Sequence, residues 1–255
     1  MKKALVTGAS SGLGREFARL LAPHCEEIVI VGRNEKRLAA LCEELSAVSE
    51  VKVVRADLSD PAECRRVHAE NPGVDLLIND AGFGDYGEFF ATSLEKDLSM
   101  IDTNAKALHI LTKLYLKDMV ERDSGRIINV ASIAGLMPGP LMATYYATKA
   151  YVVSLSESIR TELKKRGSNV KINLVCPGPV KTGFEEAANL GFFFVGTDAN
   201  KVAKYTLTHL DRFRIVPGAA VKAAIPFMKL LPAVTLASVI YVLQTTKKKK
   251  KKSDD

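Results

Sequence analysis

Short apolar runs alternate along this chain with longer stretches in which apolar positions recur at a helical period. The runs are Lys3–Thr7, Glu27–Val31, Val51–Arg55, Val74–Asn79, Arg126–Ala131, Lys171–Cys176 and Arg212–Val216. Several are β-branched and unbroken rather than alternating, as in strands buried on both faces, which predicts a parallel sheet with helices on each side. Between them lie helix-length segments such as Gly14–Ala22, Glu35–Leu45, Leu94–Glu121 and Tyr145–Lys165. This alternation predicts an α/β chain with a doubly wound sheet of seven strands, one for each run. No linker rich in Pro, Gly and Ser divides the 255 residues, a length that fits one large domain better than two.

Two segments break the rhythm. Thr182–Asn200 holds Gly183, Gly191 and Gly196 around the apolar cluster Leu190–Val195. A long connection of this kind inside a compact domain is a candidate binding loop, and a plain surface helix is the other reading. After the last run, Pro217–Gln244 continues as an apolar segment interrupted by Lys222, Lys229, Pro226 and Pro232. Its uncharged stretch Leu230–Thr246 is at the short limit for a membrane span, which takes about 17–25 residues. The expected division is therefore 1–217 for the domain, 218–246 for an apolar helical extension and 247–255 for a Lys-rich tail.

The formal charge of +7 changes meaning once it is located. Lys247–Asp255 carries six Lys and two Asp, a net of +4, which leaves +3 on the rest of the chain. A body so near neutrality argues against a nucleic-acid partner. The basic tail suits an anionic membrane surface instead. Cys25, Cys42, Cys64 and Cys176 form no CxxC pair, and His24, His68, His109 and His209 are scattered. Reduced thiols and no metal site are expected. The apolar run after Met1–Lys3 ends at once in glycines, so it reads as a first strand and not as an export signal.

The first strand runs into Thr7-Gly8-Ala9-Ser10-Ser11-Gly12-Leu13-Gly14, and a helix follows. Glycines let backbone N–H groups approach a pyrophosphate, and the helix N-terminus adds partial positive charge. After the second strand stands Gly32-Arg33-Asn34, with no carboxylate to grip a ribose 2′-hydroxyl. Arg33 can pair with a 2′-phosphate, which favours NADP over NAD. Asp57, just past the third strand, could accept a hydrogen bond from the adenine amino group, although Asp is also a common turn residue.

Candidate chemistry lies further along. Ser132 follows a strand at its carboxyl end, where open α/β sheets bind ligands. Tyr145 and Lys149 are four apart and share a helix face. A tyrosine hydroxyl titrates near ~10, and a neighbouring ammonium is expected to bring it into range for acid/base work. Tyr146 is a rival acid, but the serine spacing favours Tyr145.

With these residues in hand, the sequence resembles a short-chain dehydrogenase/reductase. The match rests on Thr7-Gly8-x-x-x-Gly12-x-Gly14, Asn79-Asp80-Ala81-Gly82, Asn104, Ser132, Tyr145-x-x-x-Lys149 and Pro177-Gly178-Pro179-Val180-Lys181-Thr182, in the family's order over residues 1 to 217. The resemblance implies a single-domain Rossmann fold. It makes Tyr145 the proton donor or acceptor, Lys149 the ribose-binding group that lowers the tyrosine pKa, Ser132 the group that orients the carbonyl, and Asn104 the holder of a relay water. It implies a cofactor set of Gly8, Ser10, Ser11, Gly12, Leu13, Gly14, Arg33, Asp57, Leu58, Asn79, Ala81, Gly82, Tyr145, Lys149, Pro177, Val180 and Thr182, with Thr182 on the carboxamide and Thr182–Asn200 as a substrate lid. Asp80 departs from the family's frequent Asn, and on this reading disturbs only a local sheet contact.

The expected function is NADP-dependent hydride transfer between nicotinamide and a ketone or secondary alcohol, on an apolar substrate such as a steroid, acyl or lipid-like ketone. A non-catalytic NADP(H)-sensing regulator and a membrane-surface scaffold are the other readings. A homodimer or homotetramer built through the long helices is expected, in the cytoplasm. The C-terminal segment is expected to lie on the inner membrane face, over the substrate mouth, or against a partner subunit.

Overall fold

The computed structural model describes residues 1–181 and 196–252, without the side chains of 220, 224, 227–229 and 246–252. In chain order the elements are β1 (Lys3–Thr7), α1 (Gly12–Leu21), β2 (Glu27–Gly32), α2 (Glu35–Leu45), β3 (Glu50–Arg55), α3 (Pro61–Ala69), β4 (Leu76–Asn79), α4 (Leu94–Ile101), α5 (Leu108–Glu121), β5 (Arg126–Val130), α6 (Ala143–Arg166) and β6 (Lys171–Val175). There follow β7 (Val180–Lys181), β8 (Thr197–Asp198), α7 (Ala199–Leu207), β9 (Arg214–Ile215), α8 (Ala219–Leu230) and α9 (Ala233–Lys252). Seven strands form one parallel sheet in the order β3-β2-β1-β4-β5-β6-β9, and β7 and β8 pair separately.

Successive strand residues point to opposite faces, and both faces are covered. Ala4, Val6, Ile28, Ile30 and Ile78 pack with Leu13 and Phe17 of α1, Leu38 and Leu41 of α2, and Val202 of α7. Leu5, Val29, Val31, Leu77 and Ile127 pack on the other side with Val67 of α3, Leu111, Tyr115 and Met119 of α5, and Leu163 of α6. Burying each Val, Leu, Ile, Phe or Met side chain among these contributes roughly 1.5–3 kcal/mol. This two-sided burial is why the strands read as continuous apolar runs.

A polar seam crosses this core. Asn79 Nδ2 donates to Asn129 Oδ1 at 2.9 Å and to Thr112 Oγ1 at 3.0 Å, and Asn129 Nδ2 donates to Ser156 Oγ at 3.0 Å. The seam ties the ends of β4 and β5 to α5 and α6, the elements that carry the site.

Several boundaries differ from the sequence reading. Leu94–Glu121 is not one α-helix, because Asp102–Ala107 between α4 and α5 is a π-helical segment. Its Asn104 is clamped to Phe83 of a neighbouring loop, and that tertiary contact holds the wider turn in place. Val74–Asp75 and Arg212–Phe213 fall outside their strands. Within Thr182–Asn200, residues 182–195 lie outside the described residues, while Thr197–Asp198 form β8 and Ala199 opens α7. The apolar C-terminal segment is helical, as α8 and α9, and Pro226 lies inside α8. No helix among the described residues is long and apolar enough to cross a membrane.

Candidate active site

Parallel strands bring all carboxyl ends to one edge. Strand order reverses at β1, which is flanked by β2 and β4, and a crevice opens where the two halves diverge. Thr7 at the end of β1 floors it: its Oγ1 accepts from the amides of Asp80 and Ala81 at 3.0 and 3.1 Å. The chain then turns through Gly8 and Gly12, whose φ angles of +72° and +56° favour glycine. A Cβ on Gly8 would stand 3.0 Å from the Ala81 backbone, and one on Gly14 would stand 2.6 Å from the Gly8 carbonyl oxygen. Ser11 N-caps α1 without a side-chain bond to it, so the positive end of that helix is left for an anion. A pyrophosphate fits this cradle.

A cavity of about 830 Å³ extends from the cradle along the strand ends. Of the residues expected at the cofactor, Gly8, Ser10, Ser11, Gly12, Leu13, Arg33, Asp57, Leu58, Ala81, Gly82, Tyr145, Lys149, Pro177 and Val180 line it. Gly14 and Asn79 do not, nor does Asn104, the residue expected to hold a relay water. Asn79 belongs to the polar seam, and the Gly14 amide donates to Asp80. The Asn104 carboxamide is taken up by Phe83, donating to its carbonyl at 2.8 Å and accepting from its amide at 3.0 Å. Thr182 lies outside the described residues. Asp57 behaves first as a turn residue, because its Oδ1 accepts from the amide and hydroxyl of Ser59 at 3.1 and 2.8 Å.

The sequence reading missed several wall residues. Arg37, on the first turn of α2, is a second cation on the cavity that Arg33 lines. Phe83, Met137 and Met142 form apolar and aromatic wall beside Tyr146, the rival acid of the sequence reading, and Ile240, Leu243 and Gln244 reach it from α9. Their only sequence signal was a lone carboxamide, Gln244, in the run Leu230–Thr246.

Ser132, Tyr145 and Lys149 meet on this cavity. Ser132 caps the turn after β5: its Oγ accepts from the Ala134 amide at 3.1 Å and lies 3.4 Å from the Pro177 carbonyl oxygen. Its hydroxyl also bonds Tyr145, which singles out Tyr145 over Tyr146. Lys149 is buried; its Nζ donates to the Val130 carbonyl at 3.0 Å and stands 5.9 Å from the Tyr145 ring centroid.

The electrostatics correct one expectation. Burial pushes the Tyr145 phenol up to about 12, with the Ser132 bond pulling it down and Tyr146 and Asp80 pushing it further up. Burial outweighs the Ser132 bond, so these groups do not acidify the phenol. Burial likewise pushes Lys149 down to about 8, opposed by the negative charge of Asp80. Asp80 is thus more than a sheet contact. Burial raises its carboxyl to about 7, against the opposing pull of Lys149 and the Gly14 amide.

Comparison with known proteins agrees with this geometry. The family described as short chain dehydrogenase matches residues 2–191. A 3-oxoacyl-(acyl-carrier-protein) reductase of Rickettsia prowazekii is 32% identical over 188 residues, covering 74% of this chain and 76% of its own. A short-chain dehydrogenase from Sphingobium yanoikuyae, solved in complex with NADPH, superposes with a TM-score of 0.81 at 28% identity, over 90% of this chain and 92% of its own. A short-chain dehydrogenase/reductase from Burkholderia phymatum, solved in complex with NAD, gives 0.81 and 28% over 90% and 93%.

Asp80→Asn keeps the shape and removes the charge. Asp80 raises both Tyr145 and Lys149, so both should titrate at lower pH in the variant. Carbon-13 NMR of labelled Tyr and Lys side chains checks this, and unmoved midpoints would contradict the placement of Asp80.

Proposed function

The chain belongs to the short-chain dehydrogenase/reductase family and is an oxidoreductase of it, and from that premise we propose that it transfers hydride between NADP(H) and a ketone or secondary alcohol. The observation that carries the reading is the convergence of Ser132, Tyr145 and Lys149 on the cavity that begins at the glycine cradle. Bound there, the nicotinamide supplies or takes the hydride. In reduction, Ser132 holds the carbonyl oxygen by its hydroxyl, and Tyr145 gives it a proton. A phenol pushed up to about 12 stays protonated at neutral pH, so the proton is present to give, and the Ser132 bond is the contact that opposes the rise. Lys149 binds the nicotinamide ribose with an ammonium already fixed by Val130. Asn104 orders the Phe83 wall and is the candidate to position a relay water.

The NADP preference rests on Arg33 and Arg37, both exposed cations on the adenosine end of the cavity. The substrate half is apolar: Met137, Met142, Ile240 and Leu243 face it, which suits an acyl, steroid or other lipid-like ketone. A 3-oxoacyl ketone, as named for the Rickettsia relative, falls within that class.

Two surfaces extend the reading. Leu94, Leu98 and Ile101 form an exposed apolar stripe along α4, with Phe89 and Phe90 exposed before it, a face suited to a second copy of the chain in a dimer or tetramer. Val234, Val239 and Val242 are exposed on α9, which ends in six consecutive lysines, and this end suits peripheral contact with anionic lipid. The four unpaired thiols fit a reducing compartment, and the cytoplasm is the location we propose.

Tyr145→Phe should lower kcat for carbonyl-dependent NADPH oxidation by about 10²–10⁴-fold with NADPH binding retained. Retained turnover would contradict the proton-donor role. Arg33→Ala should raise KM for NADPH by about ten- to a hundredfold and leave NADH nearly unchanged, from the worth of a charge-assisted bond. An equal effect on both cofactors would overturn the NADP assignment. Sedimentation equilibrium and flotation on anionic vesicles test the two surfaces: a monomer contradicts the first, and bare vesicles at low salt contradict the second.

A further inference from the structure

The wall that α9 adds to the cavity is not wholly apolar. Leu236, Ile240 and Gln244 recur every four residues and share one helix face. Leu236 and Gln244 are buried, with 6% and 3% of their surface exposed, and Ile240 and Gln244 line the cavity. Gln244 Nε2 donates to the Tyr146 hydroxyl at 3.2 Å. Its Oε1 is buried and has no hydrogen-bond partner among the described residues. Leaving such a group unpaired is unfavourable, and buried polar atoms of native proteins are nearly always satisfied.

The anchor of this amide is itself fixed. Tyr146 follows Tyr145 on α6, and its ring lies flush against Gly139, where an added Cβ would fall 2.2 Å from ring carbons. The two tyrosine ring centroids stand 6.1 Å apart. One phenol therefore faces the reacting carbonyl while the next holds the Gln244 carboxamide at a second point on the same cavity. Met137, Met142, Ile240 and Leu243 supply apolar lining around it.

We propose that Gln244 is a specificity-determining residue whose free amide end hydrogen-bonds a hydroxyl group of the substrate, remote from the carbonyl that is reduced. The proposal rests on the ketone-reductase reading above and narrows it to apolar ketones that carry a second, neutral hydroxyl. A hydroxyl both donates and accepts, so it satisfies the amide whichever way the amide is turned. A charged group would meet no compensating charge on this apolar wall.

The test uses the full-length protein and a series of methyl alkyl ketones of increasing length, each with and without a terminal hydroxyl. Initial rates with NADPH give kcat and KM, and calorimetry gives the affinity of each ligand independently of turnover. At the chain length that reaches Gln244, the wild-type protein should prefer the hydroxylated member by about tenfold in KM and affinity. In Gln244→Leu that ratio should fall to about one. Gln244→Asn, with its amide one carbon shorter, should restore a preference and shift it to a longer homologue, which a role confined to packing would not do. A wild-type protein without the preference at any length, or a preference that survives in Gln244→Leu, overturns the proposal. Absence of turnover with every ketone would instead sink the ketone-reductase reading, and the calorimetric ratio would still decide the role of Gln244.

Discussion

The site depends on one buried ammonium. Lys149 sits on the inward face of α6, bonded to the carbonyl of Val130 at the end of β5. That bond joins the helix carrying Tyr145 to the strand that leads into Ser132. It therefore fixes the three functional groups relative to one another before any ligand arrives. A buried ammonium without compensation would lose its proton. Asp80, reached from β4, opposes that loss by its charge. The ammonium thus ties α6 to the end of β5 beside the Asp80 turn that follows β4, and its charge state is set by the fold.

This arrangement gives the electrostatics a different emphasis from a lysine that merely acidifies a tyrosine. Burial keeps the Tyr145 phenol protonated and keeps Lys149 close to losing its charge near neutrality. Asp80 has its own carboxyl raised to about 7. Three ionisable groups thus share one cavity, and the charge of Asp80 acts on both of the others. Around them, the Asn79–Asn129–Ser156 seam removes freedom from the strand ends and helices that hold the cluster.

Much of the fold and the central residues were legible in the sequence because each signal is local. The glycine loop, Ser132 after its strand, and the Tyr145–Lys149 spacing each lie within one element or one turn, where sequence distance equals spatial distance. Long-range partners were not legible. Asp80 and Lys149 come from different elements, and only the sheet order makes them neighbours. Tyr146 and Gln244 are 98 residues apart, and their contact follows from where α9 packs, which the sequence of that helix does not determine. The π-helical break at Asn104 was hidden for the same reason, since the clamp to Phe83 is tertiary. The direction of the Tyr145 shift depends on burial, which a motif does not report.

The most direct test is the pH dependence of kcat/KM for NADPH at saturating carbonyl, which reports groups on the protein before the cofactor binds. A buried Lys149 loses its ammonium as pH rises through about 8, so the parameter should fall with a midpoint near that value. A profile that stays flat until the ordinary lysine range, about 10.4, would contradict the claim that a buried, Asp80-supported ammonium organises the site.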